Sequence, residues 1–415
     1  MSQNITLTPK VFTRLTLMDL GGSLKVARNM STAITPEFAK KEYKIGNDVE
    51  VRKPYRFAGG DGIDWEPEGL TDQVTKVSVN QVSKVHFQMD SVERTLSLRE
   101  AMKLYTRPVA LSMGAKINSR AATFAANNAL SSVGTPGTAP TSEATYLAAG
   151  DILVELGLPD DEELTLIVNR RMSSAFVSGT KALLNPTGKI SSQWNKGVMV
   201  DSLGYKVERD QTINTRTNGT FVGSIVVNGA NQVADGGNNA TMTLTISGLT
   251  GTLKQGDRFT IGSSTSATVG GVNSVHPQTR QSTGRQQTFT VQQDSAANPT
   301  TIVVSPAITP SGQYQNVDSS PVDQAIITMV GTTGLTNIQQ GLLVHENAFA
   351  FVSVPMWNPP ARGVIDAEVE TDPETGLSIN YVQYFDGDGR SAKHRFDSLY
   401  DFGNLYKELA CVIQA

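Results

Sequence analysis

One cysteine, four histidines and three tryptophans in 415 residues leave little material for several kinds of chemistry. The lone Cys411 cannot close an internal disulfide, and its apolar neighbours in ELACVIQA point to a small buried side chain rather than a reactive thiol. His86, His276, His345 and His394 sit on separate segments with no shared spacing, so each is expected to be an ordinary surface or hydrogen-bonded residue and no metal or acid–base centre follows from them. The chain also lacks a phosphate-cradling glycine loop, a dinucleotide fingerprint and a nucleophile elbow. No run of about 18 apolar residues occurs, and the first twenty residues lack a basic stretch leading into an apolar one, so a soluble chain without a cleaved secretion signal is expected. Neither sign of charge dominates: 35 basic residues face 39 acidic ones for a formal net charge of −4, whereas a direct reader of nucleic acid carries a clustered basic excess.

Two stretches imitate functional motifs and fail on inspection. FDGDGR, Phe385 to Arg390, starts like a calcium loop, but Arg390 stands where a ligand is needed and no glutamate closes the motif, so a hairpin turn is expected. Asp160, Asp161, Glu162 and Glu163 follow Pro159 in a turn; paired catalytic acids come from separate elements converging on a cleft, so this cluster is expected to be a solvated face.

What is present is organised in blocks. Residues Thr8 to about Lys41 form a polar, weakly amphipathic arm in which Val11, Leu15, Met18, Val26 and Met30 recur at helical spacing. DVEVRKPYRF and TKVSVNQVSKVHFQM then alternate like two strands around the turn-rich AGGDGIDWEPEG, a hairpin that is marginal in water unless it lies on another surface. LREAMKLYT, capped by Ser97, and a second segment with Pro108 in its first turn predict a long helix carrying Val109, Met113, Ile117 and Phe124 on one face. GTPGTAP is a linker by composition, Ser142 caps a helix in YLAAGDILVELG, and Leu164 to Val168 is a buried strand running into another helix. GVMVDSLGYKVERDQTI adds two short strands around Gly204.

Between Glu208 and Glu346 glutamate disappears and Lys254 is the only lysine, while Thr, Gly, Ser, Val, Gln and Asn take over. Within that block Met242, Leu244 and Ile246 alternate with Thr241, Thr243 and Thr245, and Phe289 and Val291 with Thr288 and Thr290, the period of half-buried strands. A small barrel or sandwich inserted into another domain is expected, since the mixed pattern returns after about Ser320.

In this order the blocks resemble the major capsid proteins of tailed bacteriophages with the Hong Kong ninety-seven fold, and more particularly the coat of the phage P twenty-two type. The stretches that carry the resemblance are DWEPEGLTDQVTKVSVN, LKQGDRFTI, TFTVQQDSAANPTTIVVSPAI and SLYDFGNLYKELA. The resemblance implies an α+β fold with an N-terminal arm (1–42), an E-loop hairpin (43–92), a P-domain with a long spine helix (93–136 and 364–415), an A-domain (137–221 and 321–363) and an all-β insertion domain (222–320). It implies a structural protein, not an enzyme, without cofactor or metal, that builds pentamers and hexamers into an icosahedral shell around double-stranded DNA. Its implied partners are further copies of itself, a separate scaffolding protein, a portal protein at one vertex, and DNA held without sequence-specific contact, with no membrane; its implied location is the virion, after assembly in the host cytoplasm. An encapsulin-type compartment shell is the alternative, and a carbohydrate-binding or hydrolytic phage protein a remoter one.

A marginal hairpin and a weakly apolar arm fit such a role if neighbouring copies supply the missing surface through large obligate interfaces, and heterologous contacts that close under rotation make rings. Trp65, Glu66 and Glu68 at the hairpin turn are candidates either for a subunit interface or for local packing. Asp235 in NQVADGGNNA is either an Asp-Gly turn residue or, as the resemblance implies, part of a loop between capsomers. The hairpin turn holds no lysine, which disfavours covalent crosslinking of the kind some members show, with Lys53 and Lys76 on the strands as the remaining candidates.

Overall fold

Good helix formers run unbroken from Leu98 to Leu104 and alanines recur from Ala110 to Ala126, and the computed structural model places Leu98–Asn128 in one continuous helix of 31 residues. At 1.5 Å per residue it spans about 46 Å. The two segments expected around Pro108 are therefore one: the proline lies inside the helix, on its exposed side. Its missing N–H leaves one carbonyl without an intrahelical donor, while Val109, Ala110, Met113, Ile117 and Ala121 on the opposite side are all buried and hold the helix together across that point.

The structure describes residues 9–32, 48–57, 69–90, 98–179, 203–357, 364–372, 375–386 and 391–415. They fall into two compact units. The first draws on Met1–Glu50, Lys76–Ala121 and Ala350–Gly403, the second on Val51–Thr75, Ala122–Phe349 and Asn404–Ala415.

In the first unit an antiparallel sheet is built from Val364–Thr371, Ser378–Asp386 and Ser391–Asn404, with Phe349–Val354 and Gln81–Asp90 also joined to the last of these. Asp386 pairs with Ser391, and the turn expected between them, residues 387–390 of the calcium-like stretch, lies outside the described residues. The stretch TKVSVNQVSKVHFQM, residues 75–89, which reads as one strand, belongs to two: Val74–Ser78 pairs with Asp48–Arg52, and Gln81–Asp90 leaves that ladder to pair with Ser391–Tyr400. Phe87 anchors the second of these by stacking on Tyr105 of the long helix at 5.0 Å and on His394 at 4.9 Å.

The leading helix, Pro9–Gly21, packs on the strand Val364–Thr371. It buries Thr13, Thr16, Leu17 and Leu20, not the Leu15 and Met18 face that the hydrophobic spacing favoured; Met18 is 71% exposed. The buried stripe steps by three and four residues, as a helix requires, but two of its members are threonines that a hydrophobicity pattern passes over. Beyond it, Asn118 of the long helix accepts hydrogen bonds from the backbone N–H of Val26 (2.8 Å) and Ala27 (3.4 Å), tying down the four-residue helix Lys25–Arg28.

Besides two two-stranded pairs, Phe221–Val222 with Thr250–Gly251 and Asn273–Val275 with Ser282–Gln286, the second unit has two larger sheets among the described residues. The first runs Ser131–Val133, Ala410–Gln414, Gln340–His345, Leu164–Val168, Lys206–Arg209, with parallel pairs at its edges and antiparallel pairs in its centre. Helices Glu143–Glu155 and Arg170–Gly179 cover it, and Tyr146, Leu153, Leu166, Val168, Met172, Phe176, Leu343 and Ile413 share one core. Ser142 caps the first helix as expected, its hydroxyl accepting from Ala144 N–H at 3.2 Å. The span 364–415, taken from the sequence as one block, divides at Gly403, because Ala410–Gln414 is buried on every residue and fills the second position of this sheet.

The other sheet is antiparallel and six-stranded: Ile327–Met329, Arg258–Ile261, Thr288–Val291, Thr301–Ser305, Met242–Ser247, Val226–Val227. Its two ends meet, with Val226 bridged to Ile326 and Ile327 N–H donating to Ile225 at 2.9 Å, so the sheet closes into a barrel and leaves no free edge. Met242, Leu244 and Ile246 point into its core beside Phe259 and Phe289, whose rings lie 5.7 Å apart on paired strands. The chain enters and leaves this barrel side by side: Arg216 and Ile338 exchange two backbone hydrogen bonds at 2.9 Å. Asp257 fastens that doorway, accepting from the Arg216 guanidinium at 3.0 Å, Gly219 N–H at 3.0 Å and Lys254 N–H at 2.8 Å.

Arg258, on the strand next to this doorway, is buried to 1% exposure. Its guanidinium donates to the carbonyls of Ala126 (2.7 Å), Ala129 (3.2 Å) and Ser131 (3.4 Å). The barrel thus supplies donors to the carbonyl groups that a helix leaves unsatisfied at its C-terminal end, where the macrodipole also favours a cation.

Candidate assembly surface

The hairpin Asp48–Arg52 and Val74–Ser78 continues past its ladder, and Lys53 N–H still donates to Gln73 at 2.9 Å. The residues just beyond it, Val51–Thr75 in the second unit, are where polar side chains converge. Tyr55 donates across the hairpin to the Asp72 carboxylate. Arg56 reaches the nearly buried Glu408 at 2.6 Å, and the Lys53 ammonium lies 4.7 Å from the centre of the Tyr406 ring. On the returning strand, Thr71 N–H donates to Gln313 Oε1 (2.8 Å) while its carbonyl accepts from Tyr314 Oη (3.2 Å), Gln73 donates to the Gly236 carbonyl, and Thr75 Oγ1 accepts from Asn239 Nδ2 (3.0 Å). Asn239 Nδ2 also donates to the Leu405 carbonyl at 2.8 Å.

Lys407, between Tyr406 and Glu408, is buried and donates to Ser305 Oγ at 2.8 Å. Burial lowers the pKa of both Lys53 and Lys407 to about 8, against an ordinary value of 10.5. The folded chain then sheds these protons near pH 8 while the unfolded chain holds them, so stability rises with pH above 8. Cys411, pushed up to about 12 by burial, works in the opposite sense above its ordinary 9.0. The thermal midpoint is therefore expected to rise between pH 8 and pH 9 in scanning calorimetry, and Lys407→Met to flatten the rise; an unchanged slope in that variant would contradict the assignment.

The predicted site residues fare differently. Trp65, Glu66 and Glu68 lie outside the described residues. Asp235 is exposed, and its carboxylate accepts from Gly236 N–H at 2.8 Å, so it shapes its own turn and leaves its remaining surface to solvent. Of the two lysines considered for crosslinking, Lys53 lies over Tyr406 and Lys76 pairs with Glu50 at 3.0 Å. Asn239, Gln313, Tyr314, Tyr406 and Glu408 were not foreseen. Their partners on the hairpin lie 164 to 353 residues away, with no local pattern to announce them.

Beside this junction a cavity of about 470 Å³ is lined by residues including Tyr55, Arg56, Glu162, His345 and Glu408. Its two carboxylates are each held by a cation or imidazole, Glu408 by Arg56 and Glu162 by His345 Nε2 at 3.2 Å, and His345 Nδ1 accepts from Asn347 N–H at 3.2 Å. Among the described residues the lining holds no serine, threonine or cysteine. Asp160, Asp161, Glu162 and Glu163 are all exposed, the solvated face expected of them. The barrel's aromatic residues, Phe221, Phe259, Phe289 and Tyr314, are all buried, which leaves no aromatic platform for a sugar.

A family model described as P22 coat protein, gene protein 5, matches residues 23–411. A solved structure from Mycobacterium phage Che8 has 13% identity and a TM-score of 0.50, covering 94% of this chain and 90% of that one. The capsid of cyanophage P-SCSP1u matches at 9% identity and TM-score 0.43, covering 89% of this chain and 83% of its own. The mature capsid of bacteriophage PhiM1 matches at 10% identity and TM-score 0.43, covering 89% and 82%. Among curated proteins no sequence matches.

Proposed function

This chain belongs to the P22 coat protein family and is a major capsid protein, and on that premise we propose that its copies join as pentamers and hexamers into an icosahedral shell around the double-stranded DNA of a tailed phage. It is a structural protein that self-assembles into a multimeric shell, without enzymatic activity. The observation that carries this reading is the family match over residues 23–411, which takes in both units. An encapsulin-type compartment is a weaker fit to a phage coat family.

In finer detail, the closed barrel between Arg216 and Ile338 is our candidate for the insertion domain, Leu98–Asn128 for the spine helix and 48–78 for the E-loop. Side chains such as Phe57, 60% exposed, and Leu70, 56% exposed, on the hairpin, and Met18 on the leading helix, support a role in contacts between copies, since large exposed apolar side chains are what such contacts cover. We assign a separate scaffolding protein, a portal protein and non-specifically held DNA as partners, with assembly in the host cytoplasm and the virion shell as the destination. The modest charge of −4 suits a container from which DNA must be released.

The Asp235 loop is assigned to contacts between capsomers, because Asp235 is exposed while the turn beside it is fixed by backbone bonds. Asp235→Ala is expected to leave the subunit's circular dichroism and thermal midpoint near wild type while reducing the yield of closed shells several-fold by electron microscopy. A normal particle yield would remove the assignment.

A further inference from the structure

The barrel rim grips the returning side of the hairpin at three points. Thr71 is held through its backbone N–H and carbonyl by Gln313 and Tyr314, and Gln73 and Thr75 through their side chains by the Gly236 carbonyl and by Asn239. The outgoing strand is held independently by Tyr406 and Glu408. The rim itself is stiff. Ala234 N–H donates to Ile308 (2.9 Å), Thr309 Oγ1 donates to the Ala234 carbonyl (2.8 Å), and Gly237 N–H donates to Thr309 Oγ1 (3.2 Å). Gly237 has φ of 58°, and a Cβ there would lie 2.8 Å from the Tyr314 carbonyl oxygen, so the two rim loops touch backbone to backbone.

A two-stranded hairpin has no direction of its own in water. Here both sides of the hairpin are fixed at the end of its ladder and just past it, at 53–56 and 71–75, and the fixing groups on the returning side come from the barrel. We infer that the barrel rim is a positioning clamp: Asn239, Gln313 and Tyr314 fix where residues 71–75 of the hairpin lie on their own subunit, and so the surface that they offer to neighbouring copies. The second half of this inference rests on the shell reading; the first half does not.

The test uses the full chain and three variants: Gln313→Ala with Tyr314→Phe, Asn239→Ala, and Gln313→Glu, which keeps an acceptor for the Thr71 N–H. Hydrogen exchange of the unassembled chain is expected to show residues 71–75 exchanging at least tenfold faster in the first two, with Met242–Ser247 and Thr301–Ser305 as protected as in wild type. Gln313→Glu should restore protection at Thr71, which a general loss of stability would not allow. Particles assembled from the first two should spread over several diameters or remain open. Unchanged exchange at 71–75, equal loss of protection in the barrel strands, or particles of the single wild-type diameter from a released hairpin would each overturn the clamp. If wild type itself forms no closed particles, the shell reading fails, and exchange alone then decides whether the clamp exists.

Discussion

Arg258→Ala is expected to lower the free energy of unfolding by about 3 kcal/mol, with the loss visible as a lower urea midpoint. The guanidinium meets the carbonyls of Ala126, Ala129 and Ser131 inside the second unit, where no solvent reaches it. Each buried acceptor left unmet costs about 1–3 kcal/mol, and a vacated arginine leaves a void beside the helix end. Part of this is offset. Burial already lowers the pKa of Arg258 to about 9, so holding the charge there is unfavourable and its removal relieves that strain. Arg258→Lys keeps the charge but offers a point donor in place of a planar fork, and should recover less than half of the loss. A midpoint for Arg258→Ala corresponding to less than about 0.5 kcal/mol would show that the plug contributes little.

Removal of Ala410–Ala415 is expected to abolish folding of the second unit altogether. The strand lies between Ser131–Val133 and Gln340–His345, pairing Val412 with Leu342 on one side and with Ser132 on the other. Every residue from Ala410 to Gln414 is buried, so the deletion strips two ladders and opens the core around Leu343 and Met172 at once. Burying Val412 and Ile413 alone is worth about 1.5–3 kcal/mol each, and with the lost hydrogen bonds the total approaches the whole stability of a domain, about 5–15 kcal/mol. The truncated chain should be insoluble or degraded within minutes by a protease that leaves wild type intact. A soluble truncated chain with a wild-type circular dichroism spectrum would contradict the sheet order.

The parts of this fold that local pattern controls are legible in the sequence. Alternation gave the buried Met242, Leu244 and Ile246, a hydroxyl before a helical run gave Ser142 as a cap, and a short run apolar at all but Thr165 gave Leu164–Val168. Pattern misplaced what depends on a partner. Leu15 and Met18 are the large apolar residues of the leading helix, yet its buried stripe includes Thr13 and Thr16, because the strand it packs on decides which face is covered. Pro108 reads as a helix start, but burial of Val109 and Met113 on the opposite side carries the helix through it. The clamp and the Arg258 plug were invisible for a different reason: Arg56 and Glu408 are 352 residues apart, and Arg258 and Ala126 are 132 apart. Asn, Gln, Thr and Tyr at such separations carry no periodic signal, so only the closed barrel brings them into register with the hairpin.

Self-assembly is tested most directly by electron microscopy of the purified full chain, expressed together with its neighbouring genes and examined over a range of concentrations. Closed particles of one diameter are expected, with the chain sedimenting as shells or capsomers. A well-folded chain that stays monomeric under every one of these conditions would contradict a shell subunit.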